Sequence, residues 1–159
     1  KFLMHRLENA SRNRIQNAID AGNVLVNKGS VKSSYKVKPN DEHVLNNYAY
    51  FLSLSKKDLD KARSMSEKLV KKFPNNSTYL DTHAWVLFQL QDYENAKVYM
   101  EKALQYEASP SGIMLEHYGD ILYHLGNRNE AISYWKKAEG GEETTELLFK
   151  KIKDQRYYD

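Results

Sequence analysis

The sequence predicts a mainly α-helical protein in which three helical hairpins form a solenoid that ends in a capping helix, preceded by a small α/β module. Three observations support this fold class. The body of the chain repeats at an interval of 35 residues, small residues recur in register within aromatic-rich segments, and the basic N-terminal quarter does not follow the repeat. Self-similarity with a period of roughly 20 to 50 residues is typical of solenoids.

The repeat is clearest in its small residues. Two antiparallel helices cross closely only where one of them presents a small side chain, while aromatic side chains fill the space beside the crossing. The first unit has one more residue between its two small positions than the other units, which predicts a longer turn. The first small position is followed 12 or 13 residues later by the second; the three pairs are Ala49 and Ala62, Ala84 and Ala96, and Gly119 and Ala131.

Breaks in the pattern give the boundaries of the hairpins. Pro74 and Pro110 interrupt the chain between repeats, and Asn76 stands where it can cap the helix that opens the second repeat. Short polar turns lie inside each repeat. We therefore expect repeats over about 43–75, 78–109 and 113–139, within a repeat region that spans 42–139.

The repeated positions resemble those of the tetratricopeptide repeat family. Tyr93 and Ala96 in the second unit, and Leu122, Gly126 and Ala131 in the third, stand at the signature positions of that family. The resemblance implies a right-handed solenoid whose concave groove binds a peptide or protein segment. It also implies an interaction scaffold and not an enzyme.

The resemblance assigns the lining of the groove to particular positions of each first helix. Aromatic side chains interleaved with acids suit an extended or helical segment that has apolar anchors and some Lys or Arg. Chaperone-binding members use cations there to clamp a terminal carboxylate, and these positions lack such cations. Alternatively, the aromatic residues pack between neighbouring hairpins. The assigned positions are Asn46, Tyr50, Ser53, Asp81, Trp85, Phe88, Glu116, Asp120 and Tyr123.

Residues 142–159 are predicted to form a capping helix and a tail. Acidic residues come first and basic residues last, an order that complements a helix dipole. Leu148, Phe149 and Ile152 share one face, which we expect to cover the last repeat, as solenoids require. The pairs 71–72 and 150–151 are lysines that we expect on solvated faces, and we expect 156–159 to end the chain.

Residues 1–41 form a basic segment with eight Lys or Arg against three acidic residues, whereas the remainder has a net charge of −2. The pattern predicts a helix over 2–9, a second helix that opens at Ser11 and ends at Gly22, and a small β-ribbon. The arms of the ribbon are expected at 24–26 and 31–37, with a turn at 27–29.

This segment resembles the S-four-type RNA-binding module found at the front of many large-subunit pseudouridine synthases. The matching stretches are Ser-Arg-x-x-Ile-Gln from Ser11, Gly-Asn-Val-Leu-Val-Asn from Gly22, and Ser-Tyr-Lys-Val-Lys-Pro from Ser34. The family continues into another strand after Asp41, whereas this chain enters its first repeat, and the synthase catalytic domain is absent. The resemblance implies phosphate contacts to structured RNA, made by Arg12, Arg14, Lys28, Lys32 and Lys36.

Other site classes find little support. The chain has no Cys and no apolar run near 18 residues, which excludes disulfides, thiolate sites and a membrane span. A zinc site needs three or four convergent ligands, and His117, Asp120 and His124 lack further partners; His43 and His83 lie elsewhere. Acids such as Glu116 and Asp120 have no nucleophile or cofactor motif beside them, so we expect no catalysis, no metal and no cofactor.

The predicted function is a non-catalytic scaffold that binds a protein or peptide segment in the groove. The alternatives are an RNA-binding protein whose repeats recruit a partner, and a purely structural solenoid whose N-terminal module is degenerate. A basic RNA-binding module implies the cytoplasm, although arrays of this type also occur in the bacterial envelope. The oligomeric state stays open.

Overall fold

The computed structural model describes residues 42–141 and 143–159, together with the backbone of two short strands nearer the N-terminus. The chain divides into two compact units, Lys1–His43 and Val44–Asp159. The helices predicted over 2–9 and from Ser11 lie outside the described residues.

The strands of the first unit form a two-stranded antiparallel ribbon. β1 spans Leu25–Val26 and β2 spans Gly29–Ser30, with Leu25 opposite Ser30 and Val26 opposite Gly29. Gly29 therefore begins the second strand, whereas the sequence placed it in the turn. The remainder of the predicted second arm, over 31–37, lies outside the described residues.

The second unit consists of helices joined by short turns. Three hairpins are formed, α1 with α2, α3 with α4, and α5 with α6, as the repeat predicts. None of the described helices is long and apolar enough to cross a membrane. The helices are α1 Glu42–Leu54, α2 Leu59–Lys72, α3 Ser77–Gln89, α4 Tyr93–Gln105, α5 Gly112–His124, α6 Arg128–Ala138 and α7 Leu148–Asp154.

The small residues lie where the helices cross, and the structure shows why they are small. The five alanines of the repeat positions have no exposed surface. At the third crossing, a Cβ atom built on Gly119 would lie 2.4 Å from Cδ1 of Trp135, the buried indole of α6. No methyl group fits at that distance, so this crossing needs glycine where the first two accept alanine.

The turns within the hairpins share one backbone geometry at the 35-residue interval. Lys56, Gln91 and Gly126 each have positive φ, at 50°, 63° and 85°. The following backbone N–H donates to the carbonyl oxygen five residues earlier at 2.9–3.0 Å in every repeat. This is the Schellman arrangement that ends helices at a left-handed residue.

The breaks predicted from the sequence are confirmed. α2 ends before Pro74, and the Asn76 side chain accepts a hydrogen bond from Tyr79 N at 3.0 Å, which caps α3. The first turn contains the expected extra residue: it has a second left-handed residue, Asp58 at φ 47°, before α2 begins at Leu59.

Within the part of the chain that the structure describes, the buried hydrophobic residues form one large cluster and one smaller one. The large cluster runs through the second and third hairpins and includes Trp85, Trp135 and Leu148 of α7. The smaller cluster joins α1, α2 and α3 through Ala49, Leu52, Ala62 and Val86. α3 is buried on almost every side, as the middle hairpin of a stack requires.

α7 packs on the last hairpin as predicted, but the expectations about its bounds and its face are partly wrong. The helix begins at Leu148, so Glu143 and Glu146 precede it and do not form its first turn. Leu148 is buried, whereas Phe149 is 69% exposed. Lys151, which we expected in solvent, is 2% exposed. Burial of Lys151 is explained by the acids it contacts, described below. The lysines at 71 and 72 are exposed, as expected.

Candidate peptide-binding groove

The candidate groove is the surface presented by the first helices of the hairpins, α1, α3 and α5. Two series of residues recur on it at 35-residue steps. The first series consists of Asn46, Asp81 and Glu116, and the second of Tyr50, Trp85 and Asp120. On each helix the member of the first series stands four residues before the member of the second, which is about one helical turn. Each helix therefore presents one member of each series on the same side.

The acids of the third hairpin hold a buried lysine from α7. The Lys151 ammonium donates to Glu116 Oε1 at 2.8 Å and to the two Asp120 oxygens at 2.8 and 2.7 Å. All three side chains are at most 3% exposed. A buried charge is tolerated only when it is paired and hydrogen-bonded, and this ammonium uses all three of its donors.

The two carboxylates accept further hydrogen bonds besides those from Lys151. The backbone N–H of Thr145 donates to Glu116 Oε2 at 2.8 Å, and its hydroxyl donates to Glu116 Oε1. Trp135 Nε1 donates to Asp120 Oδ1 at 2.9 Å. We call this set, Glu116, Asp120, Lys151, Thr145 and Trp135, the lysine cluster.

The two carboxylates of the lysine cluster differ in proton affinity. Burial opposes ionisation of Glu116, but Lys151 and the hydrogen bonds from Thr145 outweigh it and hold its pKa below the ordinary value. Burial raises the pKa of Asp120 to about 6 in spite of the opposing pull of Lys151, and the adjacent Glu116 charge adds to the rise. The cluster has two acids for one lysine, so Asp120 is the group that takes up a proton first as the pH falls.

The middle of the groove is aromatic around His117. His117 Nδ1 lies 3.0 Å from Asp81 Oδ1, which links α5 to α3. The Trp85 ring stacks on the His117 ring at 3.9 Å between centroids, and Tyr50 of α1 lies at 6.0 Å. Burial, with the nearby carboxylates of Asp81, Glu116 and Glu143, raises the pKa of Tyr50, so its phenol stays neutral.

The tail after α7 continues along the same helices. Gln155 adopts a left-handed conformation that ends the helix. The Tyr157 ring then packs at 4.7 Å from the His124 ring and at 5.9 Å from the Phe88 ring. Asp159 pairs with Lys56 in the turn after α1, an exposed contact of little energetic weight. Residues 143–159, which we call the C-terminal segment, thus contact all three hairpins.

The structure places the sequence-predicted groove residues at different depths. Glu116 and Asp120 lie in the lysine cluster; Asn46, Ser53, Trp85 and Phe88 are buried. Asp81, Tyr50 and Tyr123 are partly exposed. Tyr123 stacks on Trp135 at 5.6 Å. Packing between hairpins therefore applies to the buried members of this set, whereas lining of a groove and binding of a partner stay predictions.

Among the residues that the structure describes, two buried side-chain polar atoms of the groove have no hydrogen-bond partner. They are Asn46 Oδ1 and Trp85 Nε1. Asn46 stands at the same repeat position as Glu116, and Trp85 at the same position as Asp120. Their equivalents in the third hairpin are fully satisfied by the C-terminal segment and by α6, whereas these two atoms bear the cost of burial without a partner.

Sequence reasoning missed three residues of the site: Lys151, His117 and Tyr157. A signal for Lys151 was present, because it stands 35 residues after Glu116, in the first of the two series. In the part of the chain that the structure describes, no group of three or more His, Asp or Glu side chains could hold a metal ion. The predicted RNA-contacting residues, Arg12, Arg14, Lys28, Lys32 and Lys36, have side chains outside the described set.

Comparison with known proteins supports both resemblances. The S4 domain model matches residues 1–43, and tetratricopeptide repeat models match residues 47–76 and 78–110. The first TPR domain of the human RPAP3 protein, solved by NMR, superposes with a TM-score of 0.62 at 17% identity. The alignment covers 74% of this chain and 91% of that domain, and it shows a shared fold.

A curated relative matches the N-terminal segment. An uncharacterized RNA pseudouridine synthase from Chlorobaculum parvum is 49% identical over 41 residues. The match covers 26% of this chain and only 12% of the relative. It lies within the S4 part, which is not catalytic, and folds built from tetratricopeptide repeats are typically non-enzymatic.

Proposed function

Because this chain joins tetratricopeptide repeats to an S4-type segment, we propose that it is a non-catalytic scaffold that binds a protein or peptide segment along α1, α3 and α5. The observation that supports the proposal is that a segment of polypeptide, the C-terminal segment, lies against these helices. It is held by a charged anchor, Lys151, and an aromatic anchor, Tyr157. Anchors of these two kinds are typical of peptide recognition.

Photo-crosslinking from the groove tests this function. Tyr50 and Tyr123 are partly exposed in the groove, and each can be replaced in the full chain by a photoreactive phenylalanine analogue. Tyr106, which is 46% exposed after α4, is the matched control. We expect both groove positions to form adducts with one contiguous segment of the same partner, mapped by mass spectrometry. Equal adducts from Tyr106, or adducts from neither groove position, would contradict the proposal.

A second candidate function is RNA binding by the N-terminal segment, which the S4 domain match favours. In this proposal Arg12, Arg14, Lys28, Lys32 and Lys36 contact the phosphates of structured RNA. Affinity that depends on several phosphate contacts falls steeply with salt.

The RNA test uses the intact chain. Replacing Arg12 and Arg14 by Gln should weaken binding of a labelled RNA hairpin and flatten its salt dependence. The matched control replaces Lys136 and Lys137, in the last turn of α6, by Gln. Equal losses in both variants would indicate non-specific charge attraction, and no binding by the parent chain would remove this candidate.

A further inference from the structure

The inference concerns what the groove selects, and it rests on the scaffold function proposed above. We propose that the C-terminal segment is an internal ligand of the groove, and that the partner displacing it presents a lysine to Glu116 and Asp120. The partner segment would form a helical turn at that lysine and place an aromatic side chain about six residues further on, against Phe88 and His124.

The preference for lysine follows from the geometry of the acid pair. Three carboxylate oxygens from two side chains surround one nitrogen at 2.7–2.8 Å. A compact ammonium supplies three donors in a pyramid, whereas the guanidinium of Arg is planar and suits a single carboxylate held edge-on. Without a cation, both acids lie buried and unpaired, so the site strongly disfavours an uncharged occupant.

Apart from that lysine, the C-terminal segment docks mainly through Leu148, Tyr157 and the hydrogen bonds from Thr145. α7 has seven residues and no side-chain N-cap, and a helix this short does not persist in water by itself. Phe149 of α7 is 69% exposed, and the last contact of the C-terminal segment, between Lys56 and Asp159, is a surface ion pair. The segment packs on the hairpins through a limited set of side chains, Leu148 and Tyr157 among them, so it opens as a local unit before the hairpins do.

The C-terminal segment does not provide hydrogen-bond partners along the whole groove. It supplies donors to Glu116 and Asp120 of the third hairpin. At the equivalent positions of the first two hairpins, Asn46 Oδ1 and Trp85 Nε1 stay unpaired. A longer segment that continues past Tyr50 could give Asn46 a donor and Trp85 an acceptor, and each such bond adds affinity that the internal ligand lacks.

The test measures binding of a fluorescent peptide with the sequence of residues 143–159. The receptors are the full chain and two full-length variants whose internal ligand is weakened, Lys151→Met and Tyr157→Ala. Tyr157→Ala removes a ring that lies 5.3 Å from the Lys151 ammonium but none of its carboxylate partners, so it serves if Lys151→Met does not fold. Circular dichroism checks both variants. We expect at least one folded variant to bind the peptide tenfold or more tightly than the parent chain, whose groove is occupied.

Peptide variants then test the lysine preference. Lys151→Gln in the peptide should lower its affinity for the weakened receptor by at least tenfold. The matched control, Lys153→Gln at an exposed position of α7, should change it by less than threefold. Equal effects of the two substitutions would overturn the inference. So would a receptor variant that forms a dimer in light scattering, because the occupant would then be a second copy of this chain.

The outcomes separate this inference from the scaffold function. If the photo-crosslinks at Tyr50 and Tyr123 map to a partner while the peptide shows no dependence on its lysine, the groove binds partners by other chemistry and only the inference fails. If the peptide binds through its lysine but the crosslinks are absent, the internal ligand stands and the scaffold function fails.

Discussion

Replacing Lys151 by Met removes the cation of the lysine cluster and keeps a side chain of similar length and helix propensity. The change leaves Glu116 and Asp120 buried with no positive charge between them. At an effective dielectric constant of about 20, each carboxylate loses roughly 6 kcal/mol of attraction to an ammonium 2.8 Å away. Part of this is offset, because burial of the ammonium itself costs several kcal/mol.

The net loss should resemble that of other broken buried pairs, about 3–5 kcal/mol. The loss in free energy of unfolding has an upper limit, however. Once it exceeds the free energy with which the C-terminal segment docks, the segment detaches, and Glu116 and Asp120 then reach water. We therefore expect either a large fall in the free energy of unfolding or a loss of amide protection in α7. Urea denaturation measures the first effect, and hydrogen exchange over residues 148–154 measures the second.

Two companion variants make this prediction sharper. Lys153→Met changes an exposed lysine on the same helix and should cost less than about 0.5 kcal/mol. Adding Asp120→Asn to Lys151→Met removes the buried carboxyl group whose pKa is raised to about 6. The Asn side-chain oxygen can still accept the hydrogen bond from Trp135 Nε1. The double variant should regain part of the lost free energy of unfolding, so the effects of the two substitutions should not be additive.

The stability that Lys151→Met loses should depend on pH in a definite direction. A folded-state pKa above the unfolded value means that the folded protein binds a proton more strongly, so stability increases as the pH falls through that range. Asp120 without its lysine should bind a proton more strongly in the folded protein. The difference in free energy of unfolding between the parent chain and Lys151→Met should therefore shrink as the pH falls from 8 to 5. A variant that keeps both its stability within 1 kcal/mol and its protection in α7 would refute the assigned role of Lys151.

Three further predictions concern the hairpins. Gly119→Ala should lower the free energy of unfolding by about 1–3 kcal/mol, because the new methyl group meets the Trp135 ring; thermal denaturation measures it. Gln91→Gly should raise that energy by up to about 1 kcal/mol by relieving a left-handed residue, and Gly126→Ala, whose Cβ meets no atom, should lower it by a similar amount. Burial lowers the pKa of His83 to about 4, so stability should fall by up to about 3 kcal/mol from pH 6.5 to pH 4, measured by urea denaturation.

Each of these has a contradicting outcome. Helix propensity by itself would make Gly119→Ala stabilising by about 1 kcal/mol, so the sign of the change decides whether the crossing is as tight as described. Equal signs for Gln91→Gly and Gly126→Ala would contradict the shared turn geometry. For His83, the control is His83→Gln, which should flatten the pH dependence over that range; an unchanged slope would assign it to other groups.

The hairpin crossings illustrate what could be predicted from the sequence. Ala49, Ala84 and Gly119 were placed at crossings by their spacing, and all three are buried. The prediction succeeds because a crossing depends on local periodicity and on side-chain size, and both are written in consecutive residues. The same holds for the cap at Asn76 and for the longer first turn, which depend on residues only a few positions apart.

The candidate site was predicted only in part. The acids at 116 and 120 were assigned to the groove from their register, but their occupant was not foreseen. Pairing of Lys151 with Glu116 joins residues 35 positions apart on helices separated by a long connection. The 35-residue register distinguishes Lys151 from its solvated neighbours at 150 and 153, but the register does not show that this side chain is buried, because its environment exists only after α7 has docked.

The sequence by itself determined the hairpins, their number and the positions of their turns, because these follow from a repeated pattern of small and aromatic residues and from the breaks at Pro74 and Pro110. The tertiary structure decided which face of α7 turns inward. Phe149 and Lys151 are two residues apart, about 200° around a helix, so they cannot both face the groove. Burying the phenyl ring is worth roughly 1.5–3 kcal/mol, whereas leaving two buried carboxylates without a cation costs about 3–5 kcal/mol. The lysine therefore faces the groove and the phenyl ring faces solvent.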